Sequence, residues 1–333
     1  MDFRPSPDDF RHFFVISNPV AGSRRRDRLE AAVAALRAQG ATAEVHETRG
    51  RGHAQALATL ARWRRDVDGV VGAGGDGTLN EIINGLAAPP PLPGEGWTPG
   101  HGPVHPPPLG LIPLGTANVL AAECDWPQTP HAIAQRLIHG CGQWIYPGLA
   151  GERRFALMVG VGLDAEVVAA IDQHGRALKR WLGKGAYALA TLQCGLVRDN
   201  PRYTVELETS AGEACRISAA AVIVARSHFY GGRFVCAPEA RLSRPQLHVC
   251  LFLRSGRLAT LNYLIRLGIG RLRPDAGYAV LPTRHLILSG PEGAPVQSDG
   301  DLLGRLGVDP LVIGLAERPV RVFGPVADSG ASS

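Results

Sequence analysis

The chain has 333 residues, more than one typical domain holds, so two domains are the starting expectation. Apolar residues make up 45% and charged residues 20%, ordinary globular chemistry with ample material for cores. Net charge is +5 with a pI near 9.1, an excess carried almost wholly by arginine, since Lys179 and Lys184 are the only lysines. No helix-turn-helix, zinc-finger or RNA-binding aromatic signature accompanies that charge, which sets nucleic acid aside as a partner. The six cysteines at 124, 141, 194, 215, 236 and 250 form no C-x-x-C pair, so they read as buried thiols of a reducing cytoplasm rather than a metal framework. No apolar run reaches the roughly 18 residues that cross a bilayer, and the first nine residues carry no apolar stretch of a secretory signal. A soluble cytoplasmic protein is expected, or one that touches the inner face of a membrane from one side.

In chain order, Phe13–Ser17 reads as a strand. An amphipathic helix follows with Leu29, Ala32, Val33 and Leu36 on one face, and Gly40 ends it. Ala43–His46 is a short second strand, His53–Arg65 a second helix, Gly69–Ala73 a buried strand, and a helix restarts at Thr78. This alternation with short links predicts a Rossmann-like α/β domain over residues 10–145, built on a parallel sheet. Residues 88–108, with Pro89–Pro91 and Pro106–Pro108, interrupt it as an exposed loop before the strand Leu109–Pro113. From residue 146 to 315, short apolar runs at Phe155–Val161, Tyr203–Glu208, Ala219–Ala225, Leu247–Leu253 and His285–Leu288 predict an antiparallel, β-rich, sandwich-like domain. Helical stretches near 176–198 and 257–269 interrupt it. Residues 316–325 supply one last strand.

The strongest chemical signal is Gly74-Gly75-Asp76-Gly77-Thr78-Leu79-Asn80-Glu81, directly after a buried strand. Three glycines let backbone N–H groups approach an anion closely, and a helix N-terminus there favours phosphate. Thr78-x-x-Glu81 also fits a capping box, so these side chains alternatively close the helix. Asp76, an acid amid such amides, suits a magnesium contact, proton abstraction or ribose binding. Asn18-Pro19-Val20-Ala21-Gly22 and Pro113-Leu114-Gly115-Thr116-Ala117-Asn118 end two other strands, and in an open parallel sheet such ends converge on one ligand crevice. Neither G-x-x-x-x-G-K-[ST] nor G-x-G-x-x-G is present.

These three motifs resemble those of the diacylglycerol kinase catalytic-domain family, which includes bacterial lipid kinases and sphingosine kinases. The resemblance continues through Gly160–Glu166, Tyr230-Gly231-Gly232 with Ala237-Pro238, and Asp299-Gly300-Asp301, covering nearly the whole chain in family order. It implies a two-domain fold that binds ATP with Mg2+ and phosphorylates a lipid alcohol such as diacylglycerol. It carries nucleotide binding to Asn18, Pro19, Val20, Ala21, Gly22, Thr48, Gly74, Gly75, Asp76, Gly77, Thr78, Leu79, Asn80 and Thr116. It also implies that the strand near Val320–Phe323 packs back on the first domain.

The family's catalytic acid is a glutamate, and Asp301 stands in its place, one methylene shorter. The resemblance implies that Asp301 takes the proton, reaching it through a water or a shifted loop, or else that Asp76 or Asp299 does. At Leu242–Leu247, where bacterial relatives hold a structural magnesium on carboxylates, Ser243 and Arg244 offer none, so that site is expected to be absent. Arginines with Leu, Ile, Tyr and Trp at 176–182 and 257–273 suit an anionic bilayer surface or, equally, helices covering a core. An exposed sheet edge leaves a homodimer open. An NAD kinase-like enzyme and a non-catalytic, nucleotide-gated lipid-binding protein are the alternative readings.

Overall fold

The computed structural model describes residues 10–19, 23–88, 105–173, 201–209 and 212–326. The chain forms two units, one from residues up to Ile145 together with those from Arg318 onward, the other Tyr146–Glu317.

In the first unit, β1 (His12–Ser17), β3 (Gly69–Gly74) and β4 (Leu109–Pro113) are apolar runs buried almost end to end, as strands covered on both faces must be. With β2 (Thr42–Glu47), β5 (Gly140–Ile145) and β20 (Val320–Val326) they make a sheet of order β2-β1-β3-β4-β20-β5. All neighbours are parallel except β5, which runs antiparallel to β20. The helices are α1 (Ser23–Ala38), α2 (His53–Arg62), α3 (Asp76–Leu86), α4 (Val119–Glu123) and α5 (Pro130–His139). The chain steps from β1 out to β2, then crosses back over β1 to β3. Right-handed crossovers in opposite directions place α1 on one face of the sheet and α2 on the other. That reversal is a topological switch point, and it lies between β1 and β3.

Two local readings change. Helix α3 begins at Asp76 with Gly75 as its N-cap, so Thr78 lies inside the first turn and no capping box forms. Instead the Glu81 carboxylate accepts the N–H groups of Gly52 and Ala54, at 2.8 and 3.2 Å, and so caps α2. Helix α5 and strand β5 were not anticipated. Of the loop at 88–108, residues 89–104 lie outside the described residues.

The second unit pairs its strands antiparallel. One sheet runs β10 (Ala214–Ala219), β9 (Tyr203–Glu208), β16 (His285–Ser289), β19 (Leu311–Leu315), β6 (Gly148–Ala150) and β7 (Arg153–Phe155). The other runs β15 (Tyr278–Thr283), β14 (Leu247–Phe252), β11 (Ala221–Ala225), β8 (Met158–Val161), β17 (Pro295–Ser298) and β18 (Asp301–Arg305). Tyr203, Val205, Leu286 and Ile313 of the first sheet meet Val159, Val222, Val249 and Leu251 of the second in one buried cluster, the core of a sandwich. A short pair, β12 (Phe229–Tyr230) and β13 (Phe234–Val235), stands apart. Helix α6 (Leu163–Gln173) follows β8, and α7 (Arg257–Gly268) links β14 to β15. The apolar run 155–161 is split between β7 and β8, and the run 219–225 between β10 and β11. The helical stretch expected at 176–198 lies outside the described residues.

Candidate functional site

Each parallel strand of the first unit ends on the same edge of its sheet, and the sequence motifs sit there in a row. Thr48 follows β2, Asn18 follows β1, Gly75 follows β3 and Gly115 follows β4. The Asn18 side-chain amide donates to the Thr78 hydroxyl at 3.2 Å, and Leu114 N–H donates to Gly74 O at 2.9 Å. Gly75 and Gly115 touch backbone to backbone. A Cβ added to Gly115 would lie 2.6 Å from the Gly75 Cα, and one added to Gly75 would lie 3.2 Å from the Gly115 Cα. Gly115 has no room for a Cβ, and at Gly75 a Cβ fits only if the facing backbone gives by a few tenths of an ångström. The three loops are joined, and the Asn18–Thr78 link spans the switch point, where ligands of open α/β sheets bind.

The N-terminus of α3 opens into this junction. Gly75 provides no side-chain cap, so the first-turn amides of Gly77 and Thr78 have no intrahelical acceptor. The helix dipole adds positive potential at the same point. From Thr48 to Gly115 the row spans three strand spacings, roughly 14 Å. At the Thr48 end a cavity of about 480 Å³ is lined by Val45, His46, Glu47, Thr48, Arg49, His53 and Leu57. The edge thus offers a concave pocket at one end and helix-start amides without intrahelical acceptors toward the other.

The structure redistributes roles among the residues expected to bind nucleotide. Thr48 lines the cavity, Asn18 and Gly74–Thr78 form the junction, and Thr116 is exposed in the adjoining loop. Pro19 is exposed at the turn, while Val20, Ala21 and Gly22 lie outside the described residues. Leu79 turns its side chain away from this edge. Its side chain is buried in the core against Gly72, and its N–H donates to Gly75 O at 3.1 Å. Asn80 is also buried, and its side-chain oxygen accepts from the Asn84 amide at 3.2 Å.

Asp76 has a structural task. Its carboxylate oxygens accept the N–H groups of Val119 and Leu120, both at 3.0 Å, which ties the start of α4 to the start of α3. Burial pushes its pKa above the ordinary carboxylate value, against the opposing pull of those two amides.

In the second unit, Asp299 and Gly300 occupy the two central positions of the β17–β18 hairpin, with φ of 50° and 84°. Both angles are left-handed, as a type I′ turn requires, and Asp-Gly is a preferred pair for it. The Asp299 carboxylate reaches back to accept the N–H groups of Ala156, Leu157 and Met158 at 2.7, 2.9 and 2.8 Å. Asp301 begins β18 beyond this turn, half-buried, and no hydrogen bond to its carboxylate appears among the described residues.

A polar network connects the turn to other motifs. The Asp164 carboxylate accepts from the Tyr230 hydroxyl and, at 2.6 Å, from the Gln297 amide. The Gln297 side-chain oxygen accepts the Gly300 N–H at 3.1 Å. Gln297 was missed in the sequence, where it is one polar residue in an otherwise unremarkable strand.

Arg226 was missed as well. It is fully buried and donates to the backbone carbonyls of Tyr146, Arg241, Leu242, Arg244 and Gln246. The turn at Leu242–Leu247 therefore wraps its carbonyls around a guanidinium. Burial alone lowers the pKa of that group to about 10.

Residues 12–145 match the diacylglycerol kinase catalytic domain, and residues 157–318 match the YegS C-terminal NAD kinase beta sandwich-like domain. The chain belongs to the diacylglycerol kinase-like lipid kinase family. It is 29% identical over 178 residues to a Pectobacterium atrosepticum protein named "Probable lipid kinase YegS-like". It is 30% identical over 181 residues to the diacylglycerol kinase of Bacillus subtilis. In both cases the matched stretch is 54% of this chain and 54% of the relative, so the chain spans about half the length of these curated relatives. A diacylglycerol kinase structure from Bacillus anthracis superposes with a TM-score of 0.66 at 18% identity, over 95% of this chain and 97% of that one. At that identity the likeness speaks to the fold alone.

Proposed function

We propose that the protein is an ATP-dependent kinase that transfers the γ-phosphate of ATP to the hydroxyl of a lipid such as diacylglycerol. The observation that carries the reading is the backbone contact of Gly75 with Gly115, joined to Asn18 through Thr78. It gathers three motif loops into one anion-binding edge. The nucleoside would occupy the cavity beside Thr48, and the phosphates the amides of Gly77, Thr78 and Thr116, the Gly115 N–H being already donated to Asn118 Oδ1 at 2.7 Å.

The donor set fits a triphosphate because its donors are backbone N–H groups that glycines leave uncovered. For magnesium, no cluster of three or more His, Cys, Asp or Glu occurs among the described residues. An ion held mainly by substrate phosphates needs none. Both Asp76 oxygens already accept an amide, so Asp76 would face such an ion through water. When bound, the ion supplies neutralisation of phosphate charge.

Asp301 takes the proton of the lipid hydroxyl as its oxygen bonds to the γ-phosphorus. The bond from that phosphorus to the bridging oxygen breaks, and ADP leaves with the electron pair. Asp164, Gln297 and Asp299 hold the turn that presents Asp301. Positioning and electrostatics supply most of the acceleration in reactions of this kind.

The test is incubation of purified protein with labelled ATP and a fractionated lipid extract, with NAD in a parallel reaction. A phosphorylated lipid, identified by mass, supports the proposal and names the acceptor. Label in NAD alone, or ATP binding with no lipid product, contradicts it.

A further inference from the structure

Helix α7 presents its apolar side to solvent. Its inward contacts are few, with Thr260 and Tyr263 its only buried residues. The Tyr263 ring packs edge-on against Phe252 with centroids 5.1 Å apart. Its hydroxyl donates to Gly277 O and accepts the Arg254 N–H. The opposite side carries Leu258, Leu261, Ile265 and the C-cap Ile269, which are 84, 42, 53 and 59% exposed. These positions recur three to four residues apart, so they form one stripe along the helix. Strand β13 lies against the helix, and its Phe234 is exposed too. Isolated exposed apolar side chains are ordinary, but a contiguous row of them marks an interaction surface.

The charge along the stripe's own segment is basic. Residues 254–274 contain five arginines and no acid. Arg266 is neutralised by Asp275 at 2.7 Å. Arg254, Arg257, Arg271 and Arg273 are exposed and have no ion pair among the described residues. A second copy of the chain docking symmetrically on this stripe would set arginine against arginine, since a two-fold interface pairs a patch with itself. An anionic bilayer carries the opposite charge and accepts apolar side chains at its headgroup boundary while arginines stay at the phosphates.

We propose that α7 is a membrane-docking element that seats its Leu258–Leu261–Ile265–Ile269 stripe in an anionic lipid surface. This deepens the lipid-kinase reading and rests on it for its purpose, because an enzyme acting on a bilayer lipid must hold itself at the bilayer.

The experiment is co-sedimentation of the full chain with phosphatidylcholine vesicles and with vesicles of equal parts phosphatidylcholine and phosphatidylglycerol. The wild type pellets with the anionic vesicles and far less with the neutral ones. A Leu258→Ser/Ile265→Ser double variant loses roughly tenfold or more in partition. Arg257→Gln and Arg271→Gln each lose about fivefold at low salt. Val308→Ser, at a residue 85% exposed outside the helix, pellets like wild type. All of these positions are exposed, so the variants keep the wild-type thermal midpoint.

Phosphotransfer to a detergent-dispersed lipid alcohol, measured on the same samples, separates the two readings. Vesicle binding that depends on α7, with no phosphotransfer, upholds the docking surface and removes the kinase. Absence of binding to anionic vesicles overturns the docking surface whatever the kinase assay reads. So does equal loss in Val308→Ser, or a dimer that the α7 double variant dissolves.

Discussion

The turn after β3 and the turn between β17 and β18 look alike in sequence, each an acid beside glycine, and both spend that acid on backbone. Asp76 gathers two amides at the start of α4, and Asp299 gathers three at the start of β8. A carboxylate meeting several N–H groups satisfies donors that would otherwise be buried unpaired. The two turns differ in what they leave over. The first leaves uncovered amides, which suit an anion, whereas the second leaves a half-buried carboxylate, Asp301, which suits a proton. An acid in a signature motif is therefore not catalytic by position. What its oxygens already hold decides its role.

The largest expected effect comes from breaking that division at Asp301. Asp301→Asn removes a proton acceptor and should lower kcat roughly a hundredfold to ten-thousandfold, with unfolding midpoints at the wild-type value. Full activity in this variant would move the base elsewhere. Asp299→Asn should act the other way, on stability. One of the two carboxylate oxygens becomes an NH2 that faces at least one N–H donor, at a cost of about 1–3 kcal/mol in denaturant unfolding. Asp76→Asn, with two amides to lose, should cost less. A loss of turnover for Asp76→Asn without any loss of stability would return it to the chemistry.

At the first turn, Gly115→Ala should weaken ATP binding, read by calorimetry, because its methyl group meets Gly75 Cα. Overpacking of this kind costs about 1–3 kcal/mol, enough to force the loops apart. Unchanged affinity would mean that the junction is not the phosphate site.

The smallest effect concerns pH in the second unit. Burial, with Arg226 next in size, holds the His248 pKa below its ordinary value. The unfolded chain therefore binds a proton that the native state resists, and stability falls as pH drops below about 6.5 toward the native pKa. His248→Gln should flatten that part of the stability profile, and an unchanged slope would assign it to another group.

Much of the first unit was legible because β1, β3 and β4 are apolar runs bounded by glycine or polar turns, where period and burial agree. Strand β5 was not, since Gly140-Cys141-Gly142-Gln143 is mostly exposed and becomes a strand only by pairing with β20. Helix α5 carries its start signal in the sequence. Thr129 accepts the Ala132 N–H and Pro130 opens the helix, a start pattern readable from sequence.

The split of residues 155–161 could not be read locally, because it is imposed by Asp299, more than 140 residues away. The Thr78-x-x-Glu81 pattern misled for a related reason. Glu81 is satisfied by the amides of a neighbouring helix, and spacing along one segment is silent about that. Of the site, the loops were legible through their glycines. Gln297 and Arg226 were not, because their roles exist only through carbonyls and carboxylates that folding brings to them.

The most direct test is a titration of glycine-labelled protein with ATP and magnesium, followed by amide resonances. Shifts at Gly75, Gly77 and Gly115, with Gly151 and Gly212 unmoved, are predicted by a phosphate site at the junction of the three loops. Saturable ATP binding that leaves Gly75, Gly77 and Gly115 where they were would contradict it.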